Sequence, residues 1–271
     1  MQAARAVILA RGLGTRMRSA DEDVAIDRRQ ARAADTGMKG MIPIGRPFLD
    51  YVLSGLADAG FTDVCLVIGP EHDAVRDHYS REVIPARVRV HFAVQERPLG
   101  TADAVLASEA FAAGGPIVVL NSDNYYPVSV LEALRGLGEA GLAGFDREAL
   151  VRSSNIDDAR VARYAVLDVG PDNLLRGIVE KPDAATWARV GAHAQISMNC
   201  WRFGPAIFEA ARRITPSPRG ELELADAVLY AMLELGERFR VIPVREGVLD
   251  LSTRADIPEV ARRLAGIEVR L

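Results

Sequence analysis

Thiol and imidazole chemistry are almost absent from this chain. Its 271 residues hold two cysteines, Cys65 in VCLVIG and Cys200 in MNCWRF, too few for a thiolate metal site. Both sit in apolar runs and read as small buried hydrophobes rather than as a disulfide. The four histidines, His72, His78, His91 and His193, are scattered without a partnering pattern and read as structural or surface residues. Long hydrophobic runs are missing too. The stretch before Arg11 has only about five consecutive apolar residues, short of a signal sequence, and nothing approaches the ~20 residues of a membrane span. Neither sign of charge dominates, with 33 basic against 37 acidic residues and a net charge of −4, so no general attraction to nucleic acid or anionic membrane is expected. These absences predict a cytoplasmic protein with no nucleic-acid or membrane partner, and leave a homo-oligomer open.

What is present suits one large core, since 49% of the residues are apolar. Apolar strand-like runs at Ala6–Leu9, Val64–Ile68, Val88–Val94 and Ile117–Leu120 alternate with helix-like segments at Leu49–Ala59, Asp73–Tyr79 and Ala102–Phe111, the last entered by Thr101 as an N-cap. Such alternation predicts an α/β fold: a Rossmann-like, mostly parallel mixed sheet flanked by helices. After about Leu150 the texture changes. YAVLDVGPDNLLRGIVEKP reads as two strands joined by a Gly-Pro-Asp-Asn turn, and AQISMNCWRF as a third, a β-rich insert walling one side of a cleft. Helices return at Ala206–Ile214, Leu222–Leu235 and Ile257–Leu264, with a strand at Phe239–Val244. The expected organisation is one domain with two parts, residues 1–145 and residues 146–271.

The segment AVILARGLGTRM carries the strongest chemical signal. A buried strand ending in a glycine turn brings backbone N–H groups to an anion, and Gly12 and Gly14 remove the Cβ atoms that would block its approach. Thr15 and Arg16 follow as a hydroxyl and a cation. A dinucleotide-binding turn is a rival reading, weakened by Met17 where that motif has its third glycine, and a purely structural glycine turn is another. Ser19–Gly37, polar and weakly periodic, reads as a long loop, either a flap over the phosphate site or a disordered excursion.

Further candidates stand at predicted strand ends, where ligands gather in open α/β sheets. Lys39, between a glycine loop and a buried turn, can face phosphate. Gln95 offers an amide to a base edge, and Gly100 allows close backbone approach. Asp123, after the buried run IVVLNS, suits Mg²⁺, which takes one or two carboxylates plus substrate phosphates; a helix cap is the alternative. Asp250 in GVLDLS could be the second carboxylate.

Together these pieces resemble the sugar-1-phosphate nucleotidyltransferases, the family that makes nucleotide sugars. The matching segments are ARGLGTRMR, Lys39 to Ile44, GRPFLDYVLSGLADAGFTDV, PLGTADAV, LNSDN, RYAVLDV, GIVEKP, PRGELELAD and VLD, in the family's order. The resemblance implies that Gly12, Gly14, Thr15 and Arg16 hold the triphosphate, with Leu9, Ala10 and Thr101 also lining the nucleotide. Lys39 would contact the α-phosphate, Gln95 and Gly100 the base, and Asp123 with Asp250 the Mg²⁺ ion. Glu180 and Lys181 would take the sugar hydroxyls and sugar phosphate, Asn199 and Glu223 would line the sugar pocket, and Tyr164, where the family shows Tyr-Gly, would join the sugar-phosphate site, so that residues 1–145 would hold the nucleotide and residues 146–271 the sugar phosphate. Arg16, Lys39, Asp123 and Lys181 would be the catalytic set.

The implied reaction is attack of a sugar 1-phosphate oxygen on the α-phosphorus of a nucleoside triphosphate, releasing pyrophosphate. That nucleophile is already anionic, so positioning and charge neutralisation replace a general base. Glucose 1-phosphate with UTP or dTTP is the expected pair. The chain departs from the family pattern at Arg11, Met38 and Ser122, and its loop before Lys39 is longer by roughly a dozen residues. A catalytically weak regulatory relative that only binds nucleotide or sugar phosphate is the alternative.

Overall fold

The computed structural model describes residues 3–19, 24–191 and 194–271. Among the described residues, nine strands share one sheet: β1 (Arg5–Leu9), β2 (Asp63–Ile68), β3 (Arg89–Val94), β4 (Ile117–Asn121), β5 (Gly141–Asp146), β6 (Val166–Val169), β7 (Leu175–Val179), β8 (Gln195–Phe203) and β9 (Arg240–Val244). The order β7-β6-β8-β4-β1-β2-β3 forms the main path, with β5 and then β9 branching from β8. β4, β1, β2 and β3 run parallel, as expected. The β-rich half joins antiparallel through β8, whose Phe203 end pairs with β4 and whose Gln195 end pairs with β6.

Successive residues of the parallel strands enter different cores, because side chains alternate across a sheet. Ile8, Leu66 and Val118 join Phe48, Leu53 and Phe145 on one face; Val7, Cys65 and Val119 join Val105, Trp201 and Phe239 on the other. Both faces being covered, the strands read as unbroken apolar runs. Cys65 and Cys200 are buried and unpaired, and burial pushes the Cys65 thiol up to about 12.

Helices α1 (Thr15–Arg18), α2 (Arg28–Thr36), α3 (Phe48–Asp58), α4 (Thr101–Ala107), α5 (Asp158–Val161), α6 (Ala206–Arg213), α7 (Leu224–Glu234) and α8 (Asp256–Leu264) position the site. Three expectations are corrected. The segment Ser19–Gly37, read as a loop, contains α2. Asp27 caps α2 by accepting from the Gln30 N–H, while the Gln30 side chain accepts from the Asp27 N–H; residues 20–23 lie outside the described ones, as does His193. The helix expected over Ala102–Phe111 breaks at Ser108, whose hydroxyl turns back to the Val105 carbonyl at 2.6 Å. Thr101 is not the cap of α4 but its first residue. Its hydroxyl accepts from the Leu224 N–H at 2.9 Å, and so caps α7 from across the fold.

Candidate functional site

The carboxyl ends of β1, β3 and β4 open into a cavity of about 280 Å³. Leu9, Ala10, Gly12, Lys39, Gln95, Gly100, Thr101 and Asp123 all line it. Eight nucleotide-side candidates, drawn from four separate stretches of sequence, therefore converge on one cleft.

The glycine turn is built as the sequence suggests, with one refinement. Gly14 adopts φ 60°, and a Cβ there would run into the Gly37 carbonyl, so it serves the packing of α1 on the end of α2. Gly12 faces open space and is the glycine left to a ligand. Arg254, buried, braces this region from the far end of the chain: its Nε donates to the carbonyls of Met17 and Ser19, both at 3.0 Å, and its Nη2 to Asp35. Thr15 and Arg16 are exposed beside the turn and outside the cavity lining.

Lys39 Nζ lies 2.7 Å from Asp123 Oδ2, both groups mostly screened from solvent. Asp123 directly precedes the two-residue strand Asn124–Tyr125, which pairs with Leu249–Asp250. That short ribbon carries Asp250 to Asp123 from 127 residues later in the chain, 250 less 123. Burial, and next the Asp123 charge, raise the Asp250 carboxyl above the usual range, while Arg160 opposes the rise. Asp250 Oδ2 accepts from Arg160 Nη2 at 2.6 Å and from the Tyr164 hydroxyl at 2.9 Å; Oδ1 accepts from the Ser252 hydroxyl at 2.9 Å. Arg160 also reaches Asp256. Tyr164, expected on the sugar phosphate, is thus bonded to the acid expected on the metal.

Two carboxylates are too few to hold a metal ion unaided, and no group of three or more His, Cys, Asp or Glu gathers to do so among the described residues. A pair does fit Mg²⁺ that takes its remaining oxygens from phosphates and water.

Gln95 is buried at the end of β3. Its Nε2 donates to the Gly100 carbonyl at 3.0 Å and to Asp103 at 2.7 Å. Gly100 has φ 116°, and a Cβ there would strike the Leu222 backbone. The close approach expected at Gly100 is therefore made first by the chain itself: Leu222 N–H donates to Leu99 at 2.7 Å, and Ala102 N–H to Leu222 at 2.9 Å.

The sugar-side candidates lie outside this cavity. Lys181 and Asn199 are exposed non-glycine residues at φ 47° and 54°, a conformation most side chains avoid. Asn199 sits where the pairing of β8 with β5 shifts register between Ser197 and Trp201, a bulge that re-aims the strand. Glu180 has its carboxyl raised by desolvation and by the charges of Glu223 and Asp226. Glu223, at the entry to α7, is paired with Arg219 at 2.7 Å. Sequence reasoning missed Arg160 entirely; nothing in the run DDARVARY marks it as the residue that will clamp Asp250 and Asp256. Arg11 was visible only as a departure from the pattern.

The class is now defined: an α/β protein whose parallel strands deliver a glycine turn, a lysine and a carboxylate to one cleft. A family model described as "Nucleotidyl transferase" matches residues 5–262, and the chain belongs to that family. It is 29% identical over 265 residues to the bifunctional protein GlmU of Aquifex aeolicus, covering 93% of this chain and 51% of that protein. It is 28% identical to the glucose-1-phosphate thymidylyltransferase of Streptomyces griseus, covering 95% and 65% respectively. Similarity to the UTP–glucose-1-phosphate uridylyltransferase AglF of Haloferax volcanii is 26% identity over 96% of both chains. The chain thus spans about half to two thirds of the first two relatives. A crystal structure of UDP-glucose pyrophosphorylase with UDP-glucose superposes with a TM-score of 0.75 at 18% identity, over 99% of this chain and all of that one, which shows the shared fold.

Proposed function

We propose that this chain is a sugar-1-phosphate nucleotidyltransferase, joining a sugar 1-phosphate to a nucleoside triphosphate with release of pyrophosphate. The observation that carries the reading is the Lys39–Asp123 pair at the end of β4, set on the same cavity as Gln95 and Gly100. One end offers charge for a reacting phosphate and the other an amide for a base, about three strand spacings apart at ~4.8 Å each, which suits a nucleotide. UTP or dTTP with glucose 1-phosphate is the pair we favour, supported by Gln95 and by the named activities of the relatives above.

Asp123 and Asp250 would hold Mg²⁺, which when bound offsets phosphate charge. Arg16 and Lys39 neutralise the leaving pyrophosphate and the reacting centre, and the glycine turn orients the triphosphate. Glu180, Lys181, Asn199 and Glu223 would receive the sugar phosphate, so that residues 1–145 serve the nucleotide and residues 146–271 the sugar. Among the described residues no helix is long and apolar enough to cross a membrane, and we propose a cytoplasmic setting.

A second reading draws on the cations already lodged on both acids, Lys39 on Asp123 and Arg160 on Asp250. It makes the chain a regulatory relative that binds nucleotide without turning it over. Pyrophosphate release measured across UTP, dTTP, GTP, ATP and CTP, each with a panel of sugar 1-phosphates, separates the two. Release from one pairing, lost in Asp123→Asn, supports the enzyme; silence with a bound triphosphate supports the second reading.

A further inference from the structure

Arg11 is a buried cation whose bonding is unfinished. Its side chain keeps 7% of its exposure, and it lines the cavity. Nη2 reaches Glu71 at 3.4 and 3.5 Å, long distances to a carboxylate that is half exposed. Nε and Nη1 are buried with no acceptor at all. Nearly all buried N–H groups are satisfied, so two unpaired ones on a residue that lines the cavity point to an acceptor supplied by a ligand when the side chain turns toward it.

The position says which part of a ligand. The Arg11 side chain lies over Gly69, where a Cβ would collide with both its Nε and the Glu71 carboxylate. Gly69 follows the end of β2, and the preceding carbonyl, Ile68, accepts from the Gln95 N–H at 2.9 Å. Arg11 follows β1, and its side chain crosses to the end of β2, the strand beside β3, whose end carries Gln95. Lys39 and Asp123 lie at the end of β4, on the other side of β1.

The chemistry of the pair is complementary. Asp103 and the Gly100 carbonyl can only accept, so the Gln95 amide must turn its NH₂ toward them, which leaves Oε1 as an acceptor. Arg11 has only donors to offer. A carbonyl beside a ring N–H answers both at once, as in uracil, thymine and guanine. Cytosine and adenine present the reverse order, a bare ring nitrogen beside an amino group, and would set donor against donor and lone pair against lone pair. We propose that Arg11, with Gln95, selects the base of the nucleoside triphosphate, favouring bases that carry a carbonyl next to a ring N–H. This rests on the reading of the cavity as a nucleotide site.

The test is equilibrium binding of UTP, dTTP, GTP, CTP and ATP with Mg²⁺ and no sugar phosphate, on the wild type, Arg11→Met and Arg11→Lys, with melting curves to confirm folding. The wild type should prefer UTP, dTTP and GTP. Arg11→Met should weaken those three by on the order of tenfold to a hundredfold, the worth of a good guanidinium contact to a base, and leave CTP and ATP unchanged. Arg11→Lys retains the charge without the planar fork, and should lose discrimination too, which decides the matter if the methionine variant does not fold. Equal weakening of all five ligands would make Arg11 a phosphate contact and overturn the proposal, as would no change in either variant. Wild-type binding without discrimination overturns this proposal alone. No binding of any triphosphate overturns the nucleotide reading with it.

Discussion

Arg160 Nη2 donates to Asp250 Oδ2 at 2.6 Å, while its Nη1 is given to Asp256, so one guanidinium neutralises two buried carboxylates on the rim of the site. Replacing Arg160 by Met leaves both acids without their cation. Removing one partner of a buried pair costs about 3 kcal/mol or more. The melting temperature of Arg160→Met should therefore fall. Millimolar Mg²⁺ should recover part of the loss, because a divalent ion at Asp250 replaces the missing charge, and should raise the variant's melting temperature more than the wild type's. An equal Mg²⁺ response in the two proteins would count against Asp250 as a ligand.

Asp123→Asn keeps the shape of the carboxylate and removes its charge. Turnover should drop by at least about a hundredfold, the scale of losing one electrostatic stabiliser at a reacting phosphate. Pyrophosphate release at saturating substrates measures it, and near-normal turnover would remove Asp123 from the catalytic set.

Asp123 and Arg160 also show what the sequence could and could not disclose. Asp123 was legible because a carboxylate after the buried run IVVLNS has no apolar reason to be there. The strands themselves were legible because both faces of β1, β2 and β4 are covered, so their residues are apolar without alternation. Arg160 was not, since its role depends on Asp250 and Asp256, 90 and 96 residues later. Helix α2 was hidden for a related reason. It buries only Ala34 among its nine residues, which are mostly polar, so the run shows no apolar stripe. It is held by the Asp27–Gln30 capping box and by Arg254, which grips Asp35 from 219 residues away. The Asp-x-x-Gln pattern and the closing Gly37, left-handed at φ 77°, were the local signals for it.

Lys181 combines a candidate phosphate contact with a left-handed backbone at φ 47°. Lys181→Gly separates the two. Relief of the left-handed conformation gains about 1 kcal/mol, and the added freedom of the unfolded chain costs up to about 1 kcal/mol, so the melting temperature should hold. The KM for sugar 1-phosphate should rise several-fold while that for the triphosphate stays near wild type. A parallel rise in both would place Lys181 elsewhere.

Glu259 is held down to about 2 from an ordinary 4.5 by hydrogen bonds from Arg262 and Arg263. A carboxyl lowered in the folded state contributes stability above its unfolded value and loses it as pH falls. That contribution is complete above pH 4.5 and disappears toward pH 2. The carboxylate is over a third exposed, so solvent keeps the effect small, within the ~1 kcal/mol of surface pairs. Glu259→Gln should flatten the acid limb of a melting-temperature profile in that window and leave the profile at neutral pH almost unchanged. An unaltered acid limb would show that these arginines do not bind it in solution.

The fastening of Leu222 to the Leu99–Thr101 turn, described above through Gly100 and the Thr101 hydroxyl, joins the two halves of the cleft mechanically. Glu223 stands between Leu222, locked to Leu99 and Ala102, and Leu224, locked to Thr101. Gln95 in turn holds the Gly100 carbonyl. Any displacement of the Gln95–Gly100 turn would be shared by Glu223 at the mouth of α7. Under the proposed function, an occupant of one half would be felt as geometry in the other before a second substrate arrived.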